Sequence, residues 1–69
     1  MEYNAIAESY ELTAAEHEKS ASLLFQSTGD AFVDRLNSVI ADEKLALARL
    51  CRRAARDIRL RGQKLRAAV

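Results

Sequence analysis

Ser27-Thr28-Gly29-Asp30 is the one stretch that breaks an otherwise continuous helical pattern. Gly29 can take the left-handed conformation that ends a helix at little cost. The same four residues carry start signals for a second helix. Ser27 and Asp30 fit a capping box, and Thr28 or Asp30 can serve as the N-cap. Asp30 and Asp34 also suit the positive end of a helix dipole. So short a connection predicts two antiparallel helices, with a first helix over about 3–27, a turn at 28–30, a second helix over about 30–61 and a tail at 62–69.

The first helix shows its stripe at steps of four and three: Tyr3, Ala7, Tyr10, Ala14, His17, Ala21 and Leu24. Three alanines in one heptad column allow a close backbone approach, with Tyr and Leu in the alternate column. Thr13-Ala14-Ala15-Glu16 offers an alternative start, which would make residues 1–12 a separate turn. The second helix shows Val33, Leu36, Ile40, Leu47, Leu50, Ala54 and Ile58 as its inner face, with Phe32, Val39, Ala46 and Leu60 beside it. Gly62 either ends that helix or is a tolerated weak point. Closing the hairpin at Gly29 sets Leu24 near Asp34, His17 near Ala41, Tyr10 near Ala48 and Tyr3 near Ala55. The lengths, about 37 Å against about 48 Å, then leave Ile58, Leu60, Leu65 and Val69 with nothing opposite.

Composition narrows the class. The chain has 69 residues, no proline, two glycines, 49% apolar and 30% charged residues. It is too apolar for a disordered chain, and its apolar runs are too short for a membrane span. Met1-Glu2-Tyr3-Asn4 lacks the basic start of a signal peptide. The expectation is a soluble, cytoplasmic, all-α protein of one domain. A two-helix hairpin of this size buries little, and the arc of the second helix is wider than one helix can cover. Both observations predict a homodimer, a four-helix bundle paired through Phe32, Leu36, Val39, Ile40, Leu47 and Leu50. Glu43 and Asp57 interrupt that inner face and read as edge positions that set register.

Nothing in the pattern asks for catalysis, a cofactor or a metal. His17 is the sole histidine and Cys51 the sole cysteine, and the hairpin register sets Cys51 well beyond the level of His17. The two glycines lie too far apart for a phosphate loop. The informative feature is charge. Residues 1–34 hold seven acids and one base, a net −6. Residues 35–69 hold ten bases and three acids, a net +7. Arg49, Arg52, Arg56 and Arg59 recur at helical steps, with Arg53 beside them and Arg66 beyond. One reading pairs them with Glu2, Glu8 and Glu11 across the hairpin, in exposed pairs that add little stability. The other gives them to a partner, since the planar fork of arginine suits phosphate and carboxylate. A net charge of +1 and an acidic first helix argue against nucleic acid. The candidate partner-binding residues are Leu45, Arg52, Arg56, Ile58, Arg59 and Leu60. Leu45 is the apolar anchor on the outer side, and Ile58 and Leu60 form an overhang beside the charge.

In its length, its single Gly29 turn, its acidic first helix and its arginine-striped second helix, the chain resembles the quorum-sensing anti-activators of Mu-like temperate phages. That resemblance covers size and architecture and rests on no diagnostic motif. It implies a small helical dimer that inhibits host proteins by occupying their surfaces, binding a LuxR-type transcriptional activator and a type IV pilus assembly ATPase. A nucleic-acid-binding regulator using the arginine stripe and a helical secretion chaperone are the alternatives.

Overall fold

The computed structural model describes residues 2–67. They form two helices, α1 (Tyr3–Leu24) and α2 (Ala31–Ala67), packed as a hairpin, with no strand among the described residues. The rod measures 59 × 14 × 12 Å. Its radius of gyration of 16.5 Å far exceeds the roughly 11 Å of a compact globule this long. Every residue therefore lies near the surface, and no layer of large side chains is enclosed.

Local chemistry sets the ends. Glu2 caps α1, its Oε1 accepting from the Asn4 amide at 3.2 Å. Asp30 caps α2, its Oδ1 accepting from the amides of Phe32 at 2.9 Å and Val33 at 3.2 Å. Gly29 has the positive φ (86°) expected of it. The connection is longer than predicted: α1 stops at Leu24, and residues 25–30 link the helices. Asp34 holds this segment alongside the start of α2. It accepts from the Thr28 amide (2.9 Å), the Thr28 hydroxyl (2.8 Å) and the Ser27 hydroxyl (3.2 Å). Ser27 thus bonds Asp34 and makes no capping box with Asp30. Thr13 starts no helix either; its hydroxyl donates to the Ser9 carbonyl within an unbroken α1.

The seam is made of alanine. Ala7, Ala14 and Ala21 on α1 and Ala41, Ala48 and Ala55 on α2 are fully buried, and Gly62 extends the second column. Both columns repeat every seven residues, the step of a coiled coil. The inner face of α2 is therefore this small-residue column, not the stripe from Val33 to Ile58. Two alanine columns bring the backbones too close to admit leucine between them, and the larger residues move to one side.

The register also differs from expectation. Tyr3 stands against Gly62, where an added Cβ would lie 3.0 Å from the tyrosine Cβ. Stepping by heptads sets Tyr10 level with Ala55, His17 with Ala48 and Leu24 with Ala41. This is a slip of one heptad from the predicted pairing, permitted by the longer connection. A seven-residue slip keeps the same columns in contact, so periodicity alone does not resolve it. Two corrections follow. Helix α2 continues through Gly62 to Ala67, so 62–67 is not a tail. Ile58 falls within the length covered by α1 and is half-buried, so it is no overhang. Val69 lies outside the described residues.

Candidate partner-binding site

The seam divides the hairpin into two flanks of opposite chemistry. On one, glutamates of α1 meet arginines of α2. Arg59 grips Glu11 with both terminal nitrogens, Nη2 at 2.9 Å from Oε1. Arg52 grips Glu18 through Nε (3.2 Å, to Oε2) and Nη2. Two such forks one heptad apart form a ladder that reports the register directly. The Arg59 hydrogen bond holds the Glu11 carboxyl below its usual range, and the Arg52 hydrogen bond does the same for Glu18. Glu18 was not among the glutamates expected to pair. The one-heptad slip brings the Arg52 side chain within reach of Glu18, while Glu8 stays near enough to Arg59 to act on its charge without bonding it.

Beside the ladder lies an open groove of about 430 Å³ lined by Glu11, Arg52, Arg56, Arg59, Leu60 and Gln63. Four of the six expected partner-binding residues, Arg52, Arg56, Arg59 and Leu60, are thus brought together. Two of them arrive with their charge already engaged. Arg49 and Arg56 have no carboxylate at ion-pair distance among the described residues. Leu60 is half exposed at the rim. Leu45 is half-buried on this same flank, closer to the seam than an outer anchor would be. Ile58 turns to the opposite flank and does not join the group.

That opposite flank is apolar. Helical steps set Ile6, Tyr10, His17 and Leu24 of α1 beside Ile40, Leu47, Cys51 and Ile58 of α2. Leu36, Leu50, Phe32 and Val39 continue the patch around α2. The expected dimerisation residues are all open to solvent, from 44% for Ile40 to 70% for Phe32. The register slip also brings Cys51 within about one helical turn of the level of His17, closer than predicted. No hydrogen bond joins them among the described residues, and no cluster of three or more metal-ligating side chains occurs there.

The comparisons with known proteins return no match: no family model, no curated protein and no solved structure. No helix among the described residues is long and apolar enough to cross a membrane.

Proposed function

We propose that this chain is a small non-enzymatic binding protein that inhibits other proteins by occupying their surfaces, with the arginine groove as its working face. The observation that carries the reading is the pairing pattern along the stripe. Arg52 and Arg59 are fixed in place by Glu18 and Glu11, while Arg56 between them has no such partner. A rigid frame around an unengaged guanidinium, with Leu60 at its edge, has the mixed apolar and cationic character of an interface anchor. It suits a carboxylate-bearing protein surface. The glutamates of the ladder disfavour a continuous phosphate backbone.

The specific form of this proposal is the one the phage resemblance implies, a host-takeover anti-activator. Its partners would be a LuxR-type transcriptional activator and a type IV pilus assembly ATPase, met in the bacterial cytoplasm. Size and hairpin architecture support it. The test is capture from host lysate with the wild-type chain and with Arg49→Glu/Arg56→Glu. The wild type should retain a discrete host protein, and the variant should hold it at least about tenfold more weakly with helicity unchanged. Salt-dependent binding to random DNA in place of protein capture would favour the nucleic-acid reading. Full capture by the variant would move the working face to the acidic side of α1.

A further inference from the structure

Carried one heptad further toward the turn, the α1 column Ala7, Ala14, Ala21 arrives at Thr28, and the α2 column Ala55, Ala48, Ala41 arrives at Asp34. These two polar residues are bonded to each other. Asp34 Oδ1 accepts from the Thr28 amide at 2.9 Å and the Thr28 hydroxyl at 2.8 Å, and Oδ2 accepts from the Ser27 hydroxyl at 3.2 Å. The bracket holds residues 25–30 out of α1, and nothing else before Thr28 does so. Phe25 keeps right-handed helical dihedrals (φ −79°, ψ −5°), and its amide donates to the Ala21 carbonyl at 3.2 Å, the bond of a continuing helix. Phe25, Gln26 and Ser27 are exposed, and none of them is a proline or a glycine.

We propose that the hairpin has a second register, one heptad along, and that the Asp34 carboxylate is the lock that excludes it. In the second register α1 continues through residue 27, and the connection shortens to 28–30, within the two to five residues of a helical hairpin turn. Helix α1 then advances about 10 Å along α2 toward Asp34. Alanine still meets alanine, because Ala7 and Ala14 take the levels that Ala14 and Ala21 hold now. Only the ends differ. Gly62 loses Tyr3, the residue it packs against. Asp34 takes a seam position against Ala21, where every other member of its column is Ala or Gly, and a carboxylate enclosed there loses its water. One of the two arginine forks is conserved, since Glu11 meets Arg52. Glu18 comes level with Leu45, and Arg59 with the uncharged Asn4. A single charged residue thus decides between two registers that serve the alanine columns almost equally.

The groove has a different form in each register. In the present one Arg59 is held by Glu11. In the second Arg59 joins Arg56 as an unengaged guanidinium, and Leu60 emerges beyond the end of α1. A surface that binds through carboxylates finds two free forks instead of one, so it favours the second register and by linkage draws α1 along. This consequence rests on the groove being the working face, whereas the two registers do not.

Spin labels on the full chain test this. Ser22→Cys and Lys64→Cys, both at exposed positions, carry the labels in a Cys51→Ser background. The labelled chain is diluted into unlabelled chain so that pulsed electron paramagnetic resonance reads distances within one molecule. The labels are separated along the axis by about 32 Å in the present register and about 42 Å in the second, at 1.5 Å per residue. With Asp34 in place the short distance should dominate. Asp34→Ala removes the bracket and puts a methyl in the seam, so the distance should lengthen by about 10 Å with helicity kept. An unchanged distance in a helical Asp34→Ala chain overturns the proposal. Should Asp34→Ala fail to fold, Asp34→Asn/Glu18→Leu takes its place. It removes the charge from the lock, breaks the fork peculiar to the present register and sets a leucine level with Leu45 in the second. A single short distance in that variant overturns the proposal too. A distance that lengthens while capture of a partner is unchanged upholds the two registers and overturns the groove reading instead.

Discussion

The seam and the apolar flank lie side by side and invert the usual order of burial. The seam holds the smallest side chains in the molecule and excludes water completely. The flank holds most of the large apolar ones and leaves them about half exposed. In a globular domain the large residues fill the interior and set the stability. Here small residues set only the distance and register of two helices, while the residues with the most surface to bury point elsewhere. Geometry is thus specified within one chain by its smallest side chains, while most of its large apolar surface stays open to solvent.

The most direct way to break this division is to put a large residue in the seam. Ala48 is 1% exposed and lies at the centre of α2's column. Ala48→Leu forces the helices apart or the side chain out of its rotamer, at a cost of about 1–3 kcal/mol. The same change at Ala15, exposed on the side of α1, should be nearly neutral. Chemical denaturation of the two variants distinguishes them. Equal midpoints would mean that the alanine columns do not hold the hairpin.

A milder test sharpens where the seam ends. Gly62→Leu replaces the residue against which Tyr3 packs, so even the first added carbon meets the tyrosine Cβ at 3.0 Å. Leucine also favours helix over glycine by up to about 1 kcal/mol, which offsets part of the strain. The net change in global stability should be smaller than for Ala48→Leu. The local signature is faster amide exchange over the first turns of α1, confined to that end. Unchanged protection there would show that the glycine is not needed for the close approach.

Much of this arrangement was legible beforehand. The hairpin follows from Gly29 and Asp30 between two periodic runs, and the α1 seam from alanines at 7, 14 and 21. The α2 seam was equally visible, since 41, 48, 55 and 62 repeat at the same spacing with only Ala and Gly. The leucine and isoleucine stripe next to it is the stronger hydrophobic signal and masks it. Hydrophobicity marks which face seeks burial, but small size marks which face lies against another backbone. Register was not legible, because seven-residue slips preserve every column. Only the length of the connection decides it, and that rests on Asp34 bonding Thr28 and Ser27. The arginine stripe is legible in the sequence as a group. Which of its members are already engaged depends on register, so the sequence alone does not separate Arg52 and Arg59 from Arg56.

The smallest expected effect concerns the charged flank and the Asp34 bracket, and its sign follows from the carboxyl groups. Glu11 is held below the ordinary value of 4.5 first by its hydrogen bond from Arg59, and Glu18 likewise by Arg52. Asp34 is held below 3.8 first by the Thr28 amide. A carboxyl whose folded value is depressed binds its proton more readily in the unfolded chain. Its contribution is present above the unfolded value and is lost as pH falls through the folded one. The thermal midpoint should therefore be flat near neutrality and decline below about pH 4.5. The decline should be shallow, because the ladder side chains are 34–48% exposed and solvent screens them. Glu11→Gln/Glu18→Gln should flatten the part of the decline that lies nearest 4.5 and leave the more acidic part, which belongs to Asp34. A midpoint that rises on acidification, or a slope untouched by the double substitution, would show that the ladder records the register without contributing to its stability.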